Sequence, residues 1–134
     1  MILADTSVWI DLLRNNPTPA MLRLRDILAD GGENLLMGDL ILFEMLQGTR
    51  DEKHARRIEE RLAELPCITI SDRLIARQAA AHYRYLRASG ITVRKTVDTL
   101  IATRCITDRH SLLFSDRDFQ PFVDHVGLID AMTL

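Results

Sequence analysis

The amino-acid sequence predicts an α/β fold in which helices cover a parallel sheet. Short apolar runs alternate along the chain with longer segments of helical periodicity, and this alternation is typical of strand–helix–strand units with right-handed crossovers. The chain has 134 residues, of which 47% are hydrophobic and 27% are charged. These values are those of an ordinary globular domain, so we expect residues 1–134 to form a single domain.

The first half of the chain contains two predicted strands and four predicted helices. Ile2–Ala4 is a buried strand, and Thr6-Ser7 opens a helix that Asn15-Asn16-Pro17 ends. A second helix over Pro19–Ala29 precedes the strand Leu35–Met37. The other two helices are Leu40–Gln47, with Asp39 as its N-cap, and the charged segment Asp51–Glu64, whose apolar stripe is Ala55, Ile58, Leu62 and Leu65.

The second half contains three more predicted strands. Pro66 precedes the strand Cys67–Ile70, and Ser71-Asp72 caps a long helix that runs to about Arg87 and stops at Gly90. The remaining elements are a helix from about Val97 through Cys105, a strand at Leu112–Ser115, a short helix at Phe119–Val123 and a fifth strand at Leu128-Ile129.

The cysteine content indicates a cellular compartment, whereas the net charge indicates no particular partner. The net charge of −2 results from 17 basic and 19 acidic residues, which favours no class of ligand. Cys67 and Cys105 are the only cysteines and lie in apolar contexts, so we expect buried thiols in a reducing cytoplasm. Asp5 and Asp11 interrupt the apolar N-terminal run, so we expect neither a signal peptide nor a membrane span.

Four acidic residues stand in apolar surroundings that a folding sequence normally keeps free of charge. Asp5 follows Ile2–Ala4, Glu44 interrupts the apolar helix, Asp98 opens an apolar helical segment, and Asp116 follows the fourth predicted strand. Burying an unpaired carboxylate is costly. Because ligand sites of parallel sheets lie at the carboxyl ends of strands, one cleft can hold all four. Carboxylates suit Mg²⁺ or Mn²⁺.

Structural roles also explain some of these residues. Asp5 is a good N-cap, Asp98 complements a helix dipole, and Asp116 fits a turn, whereas Glu44 on an apolar helix is the hardest to explain without function. Asp118 is predicted to lie beside the principal ligands rather than to be one of them. The hydroxyls of Thr6 and Ser115 are equally explained as orienting groups or as caps.

The residues that surround the four acids carry a resemblance to a known family. The matching segments are Asp5–Asp11, Leu42–Gly48, Thr96–Ala102 and Leu113–Phe119, and they occur in order across almost the whole chain. The sequence resembles PIN-domain ribonucleases, and within them the VapC-type toxins of bacterial type II toxin–antitoxin pairs. The resemblance implies a three-layer α/β/α sandwich with a short parallel sheet of order 3-2-1-4-5.

The ligand set and the resemblance together predict an Mg²⁺- or Mn²⁺-dependent endoribonuclease. An all-carboxylate pocket binds a divalent ion that activates water against a phosphodiester. The predicted catalytic and metal-binding residues are Asp5, Glu44, Asp98 and Asp116, and Thr6, Ser115 and Asp118 are their predicted neighbours. The resemblance also implies a homodimer and an antitoxin whose C-terminal segment covers the cleft.

Basic residues near the acidic motifs are candidates for RNA contacts. Arg94, Lys95 and Arg117 could hold phosphates beside the cut. Aromatic residues make up only 5% of the chain, which favours recognition of a structured RNA such as tRNA or rRNA over base stacking along a strand. The four histidines are scattered, so catalysis by a histidine pair is not expected.

Three other functions compete with this interpretation. A signalling receiver domain also has an acidic Mg²⁺ pocket, but Asp5 is followed by Thr6 and no acid follows the third strand until Asp72. A haloacid dehalogenase requires a second acid where Ser7 stands. A catalytically inactive binding module of the same fold is disfavoured by the complete acidic set.

Overall fold

The computed structural model describes residues 1–134 and confirms the predicted α/β class. The strands are β1 (Ile2–Ala4), β2 (Leu35–Gly38), β3 (Cys67–Ile68), β4 (Ser111–Leu113) and β5 (Ile129–Asp130). All neighbouring strands are parallel, and their order in the sheet is β3-β2-β1-β4-β5. The predicted order 3-2-1-4-5 is therefore confirmed, with β1 at the centre and the sheet order reversing between β1 and β4.

Seven helices flank the sheet. They are α1 (Thr6–Leu13), α2 (Pro19–Ala29), α3 (Asp39–Gln47), α4 (Glu52–Leu62), α5 (Arg73–Ala88), α6 (Thr96–Asp108) and α7 (Gln120–Val126). α1 packs on α2 and α3, whereas α5 packs on α6 and α7. Right-handed crossovers require these two groups to lie on opposite faces of the sheet, which gives the predicted three layers. None of the helices combines the length and apolarity needed to cross a membrane.

The core lies around the central strand. Leu3 and Ala4 of β1 are fully buried, and so are Leu112 and Leu113 of β4 beside them. Consecutive buried residues are expected because helices cover both faces of the sheet. The acidic residues at the ends of these strands therefore stand at the margin of a dry interior.

The sequence predicts the fourth strand at Leu112–Ser115, and this boundary is wrong. The ladder between β1 and β4 ends with Ala4 opposite Leu113, after which the backbone N–H of Asp5 donates to the carbonyl of Leu113 (2.9 Å). Since β1 has only three residues, β4 has no partner beyond this point. The chain is then free to turn toward Asp116.

The prediction of a third strand over Cys67–Ile70 is wrong in its second half. The Ile70 N–H donates to Asp39 Oδ1 (2.8 Å), so Ile70 cannot continue the ladder with β2. The same carboxylate oxygen accepts the N–H of Leu40 (2.8 Å). The prediction of Asp39 as the N-cap of α3 is also wrong, because that position belongs to Gly38.

The exposure of one cysteine also differs from the prediction. Cys67 is exposed, whereas Cys105 is buried as expected. Cys67 belongs to β3, which is an edge strand with a neighbour on one side only. An apolar sequence context could not distinguish an edge strand from a central one.

Two elements near the C-terminus are shifted from their predicted positions. Phe119 belongs to a 3₁₀ turn over Arg117–Phe119, and α7 begins only after it. β5 begins at Ile129, because the N–H of Leu128 is bonded to the carbonyl of Phe122 (3.1 Å). A second 3₁₀ turn, Ala131–Thr133, follows β5.

Candidate active site

Asp5 lies where β1 ends and α1 begins. It is the N-cap of α1, and its Oδ2 accepts hydrogen bonds from the hydroxyl of Ser7 (2.8 Å) and from the Ser7 N–H (3.4 Å). The residue is 6% exposed. Burial raises the pKa of the Asp5 carboxyl; the Ser7 bonds oppose this rise, and the charge of Glu44 adds to it. Asp5 is thus both a helix cap and a member of an acidic cleft.

Glu44 reaches the same cleft from α3. The hydroxyl of Thr6, the first residue of α1, donates to Glu44 Oε1 at 2.7 Å. The sequence predicts Glu44 on a buried helical face, but the residue is only half-buried. The residues that α3 buries are Ile41 and Met45, which leaves Glu44 at the margin of the packed face. The contact with buried Thr6 links Glu44 to the start of α1.

Asp98 is buried in the first turn of α6 with an incomplete set of hydrogen bonds. It is 5% exposed, and its Oδ2 has no hydrogen-bond partner. Burial and then the charge of Asp5 raise its pKa to about 7; Lys95 opposes this rise, and Asp116 and Glu44 add to it. A buried carboxylate oxygen without a partner is costly, so Asp98 needs a proton or a cation beside it.

Asp116 and Asp118 complete a cluster around Asp98. One carboxylate oxygen from each of these three residues lies within 4.8 Å of the other two. Asp116 is the N-cap of the 3₁₀ turn, where its Oδ1 accepts the N–H of Asp118 (2.9 Å). The sequence predicts Asp118 only as a neighbour of the site, yet the turn places its carboxylate among the potential ligands. The Asp-x-Asp spacing within a turn was the signal available in the sequence.

The donor set fits a hard divalent cation. The three clustered donors are all carboxylate oxygens, which are the ligands that Mg²⁺ and Mn²⁺ prefer. The unpaired oxygen of Asp98 supplies an acceptor that no protein group satisfies. Asp5 and Glu44 lie outside the three-residue cluster, but their charges act on Asp98. The five residues therefore form one acidic centre with two parts.

Of the predicted neighbouring residues, one basic side chain contacts this centre. Lys95 Nζ lies 3.5 Å from Asp116 Oδ2, and the charge of Asp98 is the largest cause that raises the pKa of Lys95. Arg94, Ser115 and Arg117 are all exposed, and none of these three side chains forms an ion pair or hydrogen bond with an acidic residue of the centre. These three residues lie near the acidic centre in sequence but make no such contact with its carboxylates.

The histidines lie outside the acidic centre. His82 Nδ1 is 3.1 Å from the hydroxyl of Thr103, and burial lowers the pKa of His82. His110 Nε2 is 3.9 Å from an oxygen of Asp108, at the opposite end of α6 from Asp98. The geometry brings no histidine pair to the cleft.

A separate apolar groove lies between α1, α4 and the turn that precedes β2. Its volume is about 800 Å³. Three of the four residues of the predicted apolar stripe line it, namely Ile58 and Leu62 of α4 and Leu65 beyond the end of that helix. Trp9 lines it as well, and the indole N–H of Trp9 is buried without a hydrogen-bond partner. The other lining residues include Leu12, Leu13 and Met45 and the charged Glu33, Arg61 and Glu64.

Known proteins resemble this chain in sequence, and others share its fold. Residues 2–122 match the PIN domain family. Ribonuclease VapC11 from Mycobacterium tuberculosis is 33% identical over 119 residues, which are 89% of each chain. Two solved structures share the fold, each over 96% of both chains: VapBC2 from Rickettsia felis bound to a promoter DNA fragment (TM-score 0.73, 18% identity) and a toxin–antitoxin complex from Klebsiella pneumoniae (TM-score 0.68, 19% identity).

The family match covers most of the chain, so the protein belongs to the PIN-domain family. Its relatives within that family include ribonucleases of the VapC type. A receiver domain is excluded, because the doubly wound fold of that class has the order 2-1-3-4-5 and the order here is β3-β2-β1-β4-β5.

Proposed function

We propose that this protein is a metal-dependent endoribonuclease that acts as the toxin of a toxin–antitoxin pair, with residues 1–134 as one PIN domain. The observation that carries the proposal is the unpaired, buried Oδ2 of Asp98 beside the carboxylates of Asp116 and Asp118. A purely structural acid would be expected to find a partner or to be exposed. The VapC ribonucleases among the relatives support RNA as the substrate.

Asp98, Asp116 and Asp118 would hold one Mg²⁺ or Mn²⁺ ion, and Asp5 and Glu44 complete the set of catalytic carboxylates. A bound ion of this kind lowers the pKa of water and stabilises the leaving oxygen of a phosphodiester. The protein contributes orientation: Ser7 holds the carboxylate of Asp5, and Thr6 holds that of Glu44. Because these side chains are already fixed, less conformational entropy is lost when the site is loaded.

The substrate is proposed to be a structured RNA. Arg94 and Arg117 stand beside the acidic residues in sequence and form no ion pair, so both are free to contact phosphates. Such contacts position a nucleic acid without reading its sequence. Lys95 also borders the cleft, where its ammonium contacts Asp116.

The partner is proposed to be a small antitoxin that places an apolar segment in the groove between α1 and α4. The groove exposes Leu13 at its rim, with 41% of the residue accessible. Arg61 and Glu64 stand beside its apolar floor, which suits an amphipathic helix. The structurally similar chain from Klebsiella pneumoniae belongs to a toxin–antitoxin complex, which supports the proposal.

A homodimer in the cytoplasm completes the proposal. Phe43, Leu74 and Tyr85 are each at least 55% exposed and lie outside the groove. Exposed apolar side chains of this size favour a further interface. Cys67 and Cys105 are both free thiols, which is compatible with a reducing compartment.

The chemistry of the product ends tests the proposed reaction. Hydrolysis by metal-activated water leaves a 5′-phosphate and a 3′-hydroxyl, whereas attack by a ribose 2′-hydroxyl leaves a cyclic phosphate. We expect purified protein with Mn²⁺ to produce 5′-phosphates on a folded RNA, and EDTA to abolish cleavage. Cyclic phosphate ends, or cleavage that survives EDTA, would refute the mechanism. Binding of RNA without cleavage would favour the inactive binding module.

A further inference from the structure

Lys95 occupies the N-cap position of α6, where a lysine is unfavourable. No side-chain hydrogen bond caps this helix. An ammonium group has no acceptor for the first N–H groups of a helix, which Ser, Thr, Asp and Asn side chains supply. Its positive charge also opposes the positive end of the helix dipole. Helix formation therefore does not explain the lysine, and another interaction must compensate for it.

That interaction is with the acidic centre. The contact between Lys95 Nζ and Asp116 Oδ2 (3.5 Å) is the only ion pair that any of the five carboxylates forms. The side chains of Lys95 and Asp116 are 63% and 30% exposed, so the pair lies at the mouth of the cleft and can be replaced at little cost. Asp98 Oδ2 stays unpaired behind it.

We infer that Lys95 is an internal counter-cation of the acidic centre, which holds Asp116 in the metal-free protein and competes with the divalent ion for that carboxylate. The inference rests on the proposed metal-dependent function. Lys95 is three residues from Asp98 at the start of the same helix, so the chain keeps its ammonium near the cluster at a high effective concentration. Its flexible four-carbon stem allows the charge to withdraw into solvent when an ion binds.

The affinity for Mn²⁺ alone, measured by titration calorimetry without RNA, tests this role. Removing the competing charge in Lys95→Gln should lower the Kd for Mn²⁺ by about three- to tenfold, given the repulsion between a lysine and a divalent ion in a solvent-exposed site. Lys95→Arg keeps the charge and should bind Mn²⁺ as the wild type does. Lys53→Gln is the matched control, because Lys53 is the only other lysine and is exposed on α4.

Thermal melts separate this role from simple support of the fold. Metal-free Lys95→Gln should melt at a lower temperature than the wild type, and saturating Mn²⁺ should close the gap. A structural role alone would lower the melting temperature equally with and without Mn²⁺. An unchanged or higher Kd for Mn²⁺ in Lys95→Gln overturns the inference and leaves the nuclease function intact. A wild-type protein that binds no Mn²⁺ overturns both.

Discussion

At the scale of single residues, Asp98 experiences opposed electrostatic effects. Its place in the first turn of α6 is favourable for an anion, but its burial and the nearby charge of Asp5 oppose ionisation. The rise of its pKa to about 7 shows that the unfavourable effects dominate. In the metal-free protein the charge of Asp98 therefore destabilises the fold, which is the pattern expected of a residue kept for function.

Replacing this charge should separate function from stability. Asp98→Asn should abolish RNA cleavage, and at pH 8 the metal-free variant should be as stable as the wild type or more stable, by on the order of 1–3 kcal/mol. The stabilisation gained on adding Mn²⁺ should shrink, because it depends on affinity for the native state. If Asp98 only complemented the helix dipole, the substitution would instead lower the stability of the metal-free protein by about 0.5–1 kcal/mol and leave cleavage intact.

The pH dependence of metal-free stability provides an internal control for the Asp98→Asn experiment. Since the pKa of Asp98 is raised in the folded state, the folded protein binds more protons than the unfolded chain between about pH 4 and pH 7. The contribution of Asp98 to metal-free stability should fall as the pH rises through this window. Thermal melts should thus show that metal-free Asp98→Asn and wild type are similarly stable near pH 4. By pH 8 the variant should be the more stable of the two. A constant difference would contradict the raised pKa.

At the scale of elements, α4 has two faces with different tasks. Its outer face is strongly charged, and Ile58 and Leu62 on the inner face line the groove beside Trp9. This inner face is not fully packed against the rest of the domain, since the groove beside it has a volume of about 800 Å³. An apolar element that one domain leaves open in this way is suited to bind a second chain.

A charge introduced at the rim of the groove should weaken antitoxin binding without affecting catalysis. Leu13 lines the groove, so Leu13→Glu is the test variant. Leu22→Glu is its control, because Leu22 is similarly exposed on α2 but does not line the groove. Calorimetry with the proposed antitoxin should show a loss of affinity of about tenfold or more for Leu13→Glu only. Both variants should cleave RNA like the wild type. Equal affinity of the two variants would place the antitoxin elsewhere.

At the scale of the whole molecule, the net charge conceals an uneven distribution. Five of the 19 acidic residues belong to one centre, so the rest of the protein has 17 basic residues against 14 acidic ones. A divalent ion would neutralise part of the acidic centre. The loaded protein would then offer a mildly basic surface, which favours contact with RNA.

The toxin function is tested in cells. Expression of the wild-type protein alone should arrest growth, and co-expression with the proposed antitoxin should relieve the arrest. Asp98→Asn should be harmless at the same expression level, which the amount of protein in the lysate controls. If the wild type is harmless in cells while the purified protein cleaves cellular RNA, the protein is a nuclease but not a toxin.

Much of the fold and of the acidic centre could be predicted from the sequence because local patterns determine them. The apolar run of β1 and the acid that follows it define a strand end. Asp72, predicted as a helix cap, accepts the backbone N–H of Ile75, three residues ahead. Strand limits were harder to predict, since Ile70 leaves the sheet through a bond to Asp39, 31 positions away.

The sequence by itself determined that this protein is an α/β molecule with Asp5, Glu44, Asp98 and Asp116 as its notable acids, because a charge within an apolar run is visible locally. Only the tertiary structure decided which acids meet. It joined Asp98 to Asp116 and Asp118, brought Lys95 to their mouth and exposed Cys67 at the edge of the sheet. The spacing of Asp116 and Asp118 is visible locally, but their meeting with Asp98 and Lys95 depends on how strand ends and turns assemble across the sheet, and that assembly is a non-local property.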